Sequence, residues 1–132
     1  MAFEIPGFSF SLPANIDMSS EAAYQFTPVA VVPATGTGIN TPQAIAPVAA
    51  TGDPAIGVLQ NNPQLAEAGT VMVGGISKIL LGGTVTIGQL LMATPSGGFQ
   101  VATSGKYAVA QALEAGSSGQ IITGLLLHNG KI

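Results

Sequence analysis

Between Lys78 and Lys106 the chain carries no ionisable side chain: residues 79–105 read ILLGGTVTIGQLLMATPSGGFQVATSG. A stretch this long without charge must be covered by something. A transmembrane helix would need about 20 mostly apolar residues. Residues 79–94 instead contain Gly82, Gly83, Thr84, Thr86, Gly88 and Gln89, and Pro95 follows. Glycine and β-branched residues suit short strands and turns better than a helix. The stretch therefore reads as two or three short strands, much of it to be covered by the domain's own core or by neighbouring subunits.

The whole chain shares this character. Charged residues make up 7% of its 132 positions, against about 25% in ordinary soluble domains. The apolar share, 47%, is ordinary, and Gly, Ala, Ser, Thr, Gln and Asn stand where charges would be. Disordered chains pair low hydrophobicity with high net charge, so this composition argues for a folded chain of one domain. Net charge is −3, and the basic side chains are Lys78, Lys106 and Lys131. Nucleic-acid backbones and anionic membranes need clustered Lys or Arg, so neither is an expected partner. The absence of Cys removes disulfides, thiolate metal sites and thiol nucleophiles. At the start, MAFEIPGFSF places Glu4 and Pro6 where a secretion signal would have basic and then apolar residues.

Two regions emerge. Residues 1–26 form a Phe- and Pro-rich segment holding Phe3, Phe8, Phe10 and Phe26. Phe8, Phe10 and Leu12 alternate with Ser9 and Ser11, the period of a strand with one buried face. Pro6 and Pro13 bracket that run, which suits an extended arm or an edge strand. Asp17 could cap a short helical turn over residues 19–24. Residues 27–132 form a β-rich domain. Apolar runs lie at 29–32, 44–50, 55–60, 70–75, 77–81, 84–93, 99–102, 107–113 and 120–127, separated by turn signals. Such spacing predicts an all-β fold, a small barrel or sandwich of short strands with little helix and an extended N-terminal arm. YAVAQAL at 107–113 reads as strand, with helix as the alternative. AGTVMVGG at 68–75 weakly echoes GGTVTIGQ at 82–89, as two similar strands after similar turns.

No motif carries chemistry. GTG at 36–38 lacks the Gly-Lys-Ser/Thr ending of a phosphate loop, and a loop is the better reading. His128, the single histidine, lies near the end in LLLHNGKI, as a solvated tail residue. Asp17, Asp53, Glu67 and Glu114 stand singly, so no metal set, catalytic residue or cofactor site is expected. Asp53, in TGDPAIGV, suits a structural turn in which its carboxylate accepts backbone N–H groups. The Phe-rich segment has two readings, first strand of the core or arm docking on another subunit. On the docking reading the interface candidates are Phe3, Ile5, Phe8, Phe10 and Leu12.

The order Gly52-Asp53, Gly57-Val58, Ala68-Gly69 before Val71 and Val73, Gly88 to Leu91, Ala112 to Ala115, and Ile121 to Leu127 resembles tailed-bacteriophage capsid decoration (cement) proteins. The resemblance covers residues 44–127. It implies a non-enzymatic virion structural protein, assembled as a homotrimer on the outer capsid surface. There it would bridge copies of the major capsid protein and stabilise the head against internal DNA pressure. It also implies synthesis in the host cytoplasm without a signal peptide, with no cofactor and no small-molecule substrate. Two alternatives stay open. One is a phage tail, fibre or baseplate module or another self-assembling β protein. The other is a small enzyme or ligand-binding barrel, which would need a pocket with convergent polar groups.

Overall fold

A computed structural model of the chain describes residues 2, 4–20, 24–95 and 98–132. Among them are eleven strands in two antiparallel sheets. The six-stranded sheet runs, edge to edge, β1 (Ile5–Pro6), β7 (Gly75–Leu80), β11 (Ile121–Lys131), β10 (Tyr107–Ala112), β8 (Leu90–Ala93), β9 (Phe99–Val101). The five-stranded sheet runs β2 (Ser9–Pro13), β6 (Ala68–Met72), β5 (Gly57–Leu59), β3 (Pro28–Pro33), β4 (Gln43–Pro47). The fold is all-β, and of barrel and sandwich it is the sandwich. Each sheet curls until a residue just past one strand bridges the far edge, Ala14 to Ile45 and Leu81 to Phe99, yet neither closes.

The turns explain how so few charges suffice. Residues 50–53, 64–67, 86–89 and 117–120 share one geometry. The fourth N–H donates to the first carbonyl, at 3.2, 3.0, 3.3 and 3.1 Å respectively. The third residue has positive φ: Gly52 84°, Ala66 69°, Gly88 86° and Gly119 86°. That is the requirement of a type II turn. The first N–H donates to the fourth side chain, to Asp53 Oδ2 (3.1 Å), Glu67 Oε1 (2.7 Å), Gln89 Oε1 (2.7 Å) and Gln120 Oε1 (2.8 Å). An amide oxygen thus does the work of a carboxylate. In the last three turns the next residue begins β6, β8 or β11.

Strand alternation divides the interior in two. Val58 and Leu59 are neighbours in β5 and point to opposite faces. Val58 joins Ile79, Leu91, Phe99, Ala110 and Ile122 between the sheets. Leu59 joins Met18, Val29, Ile45 and Val71 on the far side of the five-stranded sheet. Ala14, Met18 and Tyr24 cover that second core, so the five-stranded sheet is buried on both faces. Phe99, the one Phe outside the N-terminal segment, is the largest fully buried side chain among the described residues.

Residues 5–13 run along both sheets. β1 pairs with β7 in one sheet and β2 with β6 in the other. Both ribbons change sheet at the same place, between Pro6 and Ser9 and between Met72 and Gly75. Strands that switch sheets make the corners of a sandwich. Here a Cβ on Gly7 would lie 2.6 Å from the Gly74 carbonyl oxygen, so the two backbones touch and glycine is required. Gly75, at φ +95°, faces Gly7 across the same contact.

Three expectations change. Only residues 90–93 of the run at 84–93 are strand, and 84–89 form a loop and a turn. The echo between 68–75 and 82–89 therefore pairs a strand with a loop. The last strand continues to Lys131, so His128 lies in β11 rather than in a ragged tail. YAVAQA is strand, as read. At the expected helical turn Asp17 Oδ1 accepts the Ser19 N–H (3.0 Å) and the Tyr24 N–H reaches the Ser20 carbonyl (3.1 Å). Residues 21–23 of that turn lie outside the described residues.

Candidate functional site

Four carboxylates among the described residues are engaged in local structure. Asp53, Glu67 and Asp17 each accept an N–H from their own turn. Glu114 Oε1 accepts the Thr123 N–H at 2.9 Å. Among the described residues no three His, Cys, Asp or Glu side chains gather where they could hold a metal. In the GTG loop the N–H groups of Thr35 and Gly36 already donate to Asn15 Oδ1, at 2.8 and 3.0 Å. Asn15 Nδ2 in turn donates to Thr35 Oγ1 at 3.1 Å. A phosphate would have to displace that side chain. The space between the sheets near Ile56, Val73 and Leu127 measures about 10 Å³, room for one water at most. No helix among the described residues is long and apolar enough to cross a membrane.

What remains is surface. Of the N-terminal candidates, Phe3 lies outside the described residues. Phe10 and Leu12 are half-buried against the second core. Ile5 and Phe8 are 58% and 79% exposed. The alternation through Phe8, Phe10 and Leu12 thus ends at the corner, because the backbone turns there from one sheet to the other.

A larger feature was hidden from sequence reasoning because it is made of five separate strands. The registers Ile5↔Ile76, Ile76↔Leu125, Leu125↔Gln111 and Gln111↔Leu90 form one row across the six-stranded sheet. Its inward neighbours Ile79, Ala110, Leu91 and Ile122 are buried, so the row lies on the outer face. A parallel row pairs Leu80 with Ile121, which is 45% exposed. Lys78, between the rows, meets Glu4 at 3.8 Å and stands 5.8 Å over the Phe26 ring. The face therefore presents aliphatic side chains, the Gln111 amide and the Lys78–Glu4 ion pair, which is worth little energetically.

Size sets what this face can do. Five strands at about 4.8 Å and four residues at about 3.4 Å give a patch of roughly 330 Å². A standard interface buries about 800 Å² per partner. Docking through this face must also recruit its surroundings. The corner with Phe8 adjoins one side. Toward the other end of the strands Ile87, at the tip of the turn 86–89, is 70% exposed. An open dish of about 330 Å³ lies there too, lined by Ala2, Glu114, Ala115, Gln120, Ile121 and Ile122.

No family model matches the chain, and no curated protein matches it in sequence. A solved structure does share the fold: the crystal structure of head fiber gp8.5 N base in bacteriophage phi29. It superposes with a TM-score of 0.67 over 95% of this chain and 98% of that one, at 16% sequence identity. At that identity the likeness is one of fold.

Proposed function

We propose that the chain is a non-enzymatic structural protein of a phage virion. It binds the outer surface of the head as a homotrimer, bridges copies of the major capsid protein and stabilises the head against internal DNA pressure. The observation that carries this reading is the charge-poor outer face of the six-stranded sheet beside the exposed Ile5–Phe8 corner. Interface centres are depleted of charge and anchored by aromatic residues. The shared fold with a head-fiber base supports placement on the head, and the resemblance in residues 44–127 points the same way. In this reading the N-terminal segment, residues 1–26, supplies Phe8 as an anchor while Phe10 and Leu12 hold it to the domain. Whatever binds only the assembled head stabilises that state by mass action.

The test is to mix purified protein with heads lacking it and heat them. Binding with a raised disruption temperature is expected, and neither occurring refutes the reading. The fold likeness also favours a second reading, in which the domain is the base of a fibre. An electron-microscopy map separates the two: a compact knob on the facets for the first, a base carrying a rod for the second.

A further inference from the structure

Two of the type II turns, at 86–89 and 117–120, are held by the same set of bonds with their roles exchanged. The Val85 N–H donates to the Gly116 carbonyl (2.9 Å), and the Gly116 N–H to Val85 (3.1 Å). The Gly88 N–H donates to Ala112 (2.7 Å), and the Gly119 N–H to Leu81 (2.8 Å). The Ala112 N–H donates to Gln89 (2.9 Å), and the Leu81 N–H to Gln120 (2.9 Å). Shifting each residue by the 31 positions that separate 86 from 117 turns one bond of a pair into the other. The flanking registers obey the same rule: Leu80↔Ile121 matches Gln111↔Leu90, and Ile79↔Ile122 matches Ala110↔Leu91. Gly88 and Gly119 even share a φ of 86°. A local two-fold relation therefore exchanges the unit β7–turn–β8 with the unit β10–turn–β11. β9 and its connections lie outside it.

The connectivity has a mechanical consequence. The turn 86–89 is gripped by Ala112, the last residue of β10, and β10 leads into the turn 117–120. That turn is gripped by Leu81, just past β7, and β7 leads into the turn 86–89. Loosening either turn moves the strand end that anchors the other. We infer that the two turns form a reciprocal clasp that opens and closes as one unit. The five-stranded sheet repeats the arrangement. The turn 64–67 has the same internal bonds and is gripped by Ala14 in the same way, with the Ala66 N–H to Ala14 and the Ala14 N–H to Glu67 both at 2.9 Å. A turn at 24–27, with the Thr27 N–H on the Tyr24 carbonyl (3.2 Å) and Phe26 at φ 64°, follows β2 and returns that grip: the Phe26 N–H donates to Leu59 (2.8 Å), the last residue of β5, and the Leu59 N–H to Thr27 (2.9 Å).

Native-state amide hydrogen exchange on the full chain tests this. In the unaltered protein the amides of Val85, Gly88, Gly116 and Gly119 exchange through one common opening. Gln89→Leu removes the acceptor for the Thr86 N–H. One hydrogen bond's net worth predicts about five- to tenfold faster exchange at that turn, and the clasp predicts the same acceleration at Gly116 and Gly119. Gln120→Leu gives the mirror result, and Glu67→Leu accelerates its own turn and the Phe26 amide together. Acceleration confined to residues 85–89 in Gln89→Leu overturns the inference. If the variants do not fold, the unaltered protein decides in rising denaturant. The two turns must merge into one opening isotherm, and two separate isotherms refute the clasp.

Discussion

Replacing Phe8 with Ala separates folding from docking. In the isolated chain the side chain is 79% exposed. What Phe8 gives the fold is its carbonyl, which accepts the Val73 N–H at 2.8 Å and survives the substitution. Fully burying a Phe side chain is worth about 1.5–3 kcal/mol. The roughly one-fifth already covered accounts for about 0.3–0.6 kcal/mol of the protein's own stability on that scale. The remaining four-fifths hold about 1.2–2.4 kcal/mol for a partner that covers the ring. That corresponds to about 8- to 60-fold in affinity per site. Leu12→Ala is the contrasting variant, because Leu12 is half-buried against the second core. It should lower stability by about 1–2 kcal/mol, part of the full Leu→Ala cost. Urea unfolding of the isolated protein, beside binding to heads lacking it, reads both quantities. The reasoning fails if Phe8→Ala unfolds as readily as Leu12→Ala, or if it binds heads as tightly as the unaltered protein.

Other consequences can be checked on the isolated protein. Gly98 and Gly105 have nearly the same φ, +80° and +83°, but a Cβ at Gly98 would lie 2.2 Å from the Leu80 carbonyl oxygen while one at Gly105 meets nothing within 4 Å. Gly105→Ala should cost about 1–2 kcal/mol of left-handed strain, and Gly98→Ala about 1–3 kcal/mol more for displacing backbone; equal losses in denaturant unfolding would contradict this. Asn15→Ala should free the Thr35 and Gly36 amides, lowering stability by about 1–2 kcal/mol and speeding hydrogen exchange at those two positions. The Ser19 hydroxyl, and then its backbone N–H, hold the Asp17 carboxyl below its ordinary value of 3.8. A folded value below the unfolded one means that this contribution is present above that pH and is lost as pH falls through the folded value. An NMR titration should find Asp17 low and Ser19→Ala moving it back up; an Asp17 value at or above the ordinary one refutes the assignment.

Local chemistry made much of this fold legible. Gly and Pro punctuation between β-branched runs marks strand after strand, because turn geometry and strand propensity act over a few residues. The run at 84–93 shows where such reasoning stops. Thr84, Val85 and Thr86 have strand propensity, yet Val85 finds a single bridging partner in Gly116 and the chain then turns. Propensity states what a residue tolerates, while a strand needs a neighbour along its length. The Phe residues teach the same lesson. Four cluster near the start, and among the described residues the fully buried one is Phe99, late in the chain.

The candidate surface divides in the same way. A chain with 7% charged residues, three Lys and no Cys already shows that it forms no disulfide of its own and offers no thiol. The exposed Ile5 and Phe8 came from a segment that composition singled out. The row from Ile5 through Ile76, Leu125 and Gln111 to Leu90, and the clasp joining residues 81–89 to 112–120, draw on strands far apart in the chain. Alternation along one strand tells which residues share a face, and nothing in it tells which strand lies alongside. That is decided by the registers between strands, which the packing of two cores against a shared sheet selects.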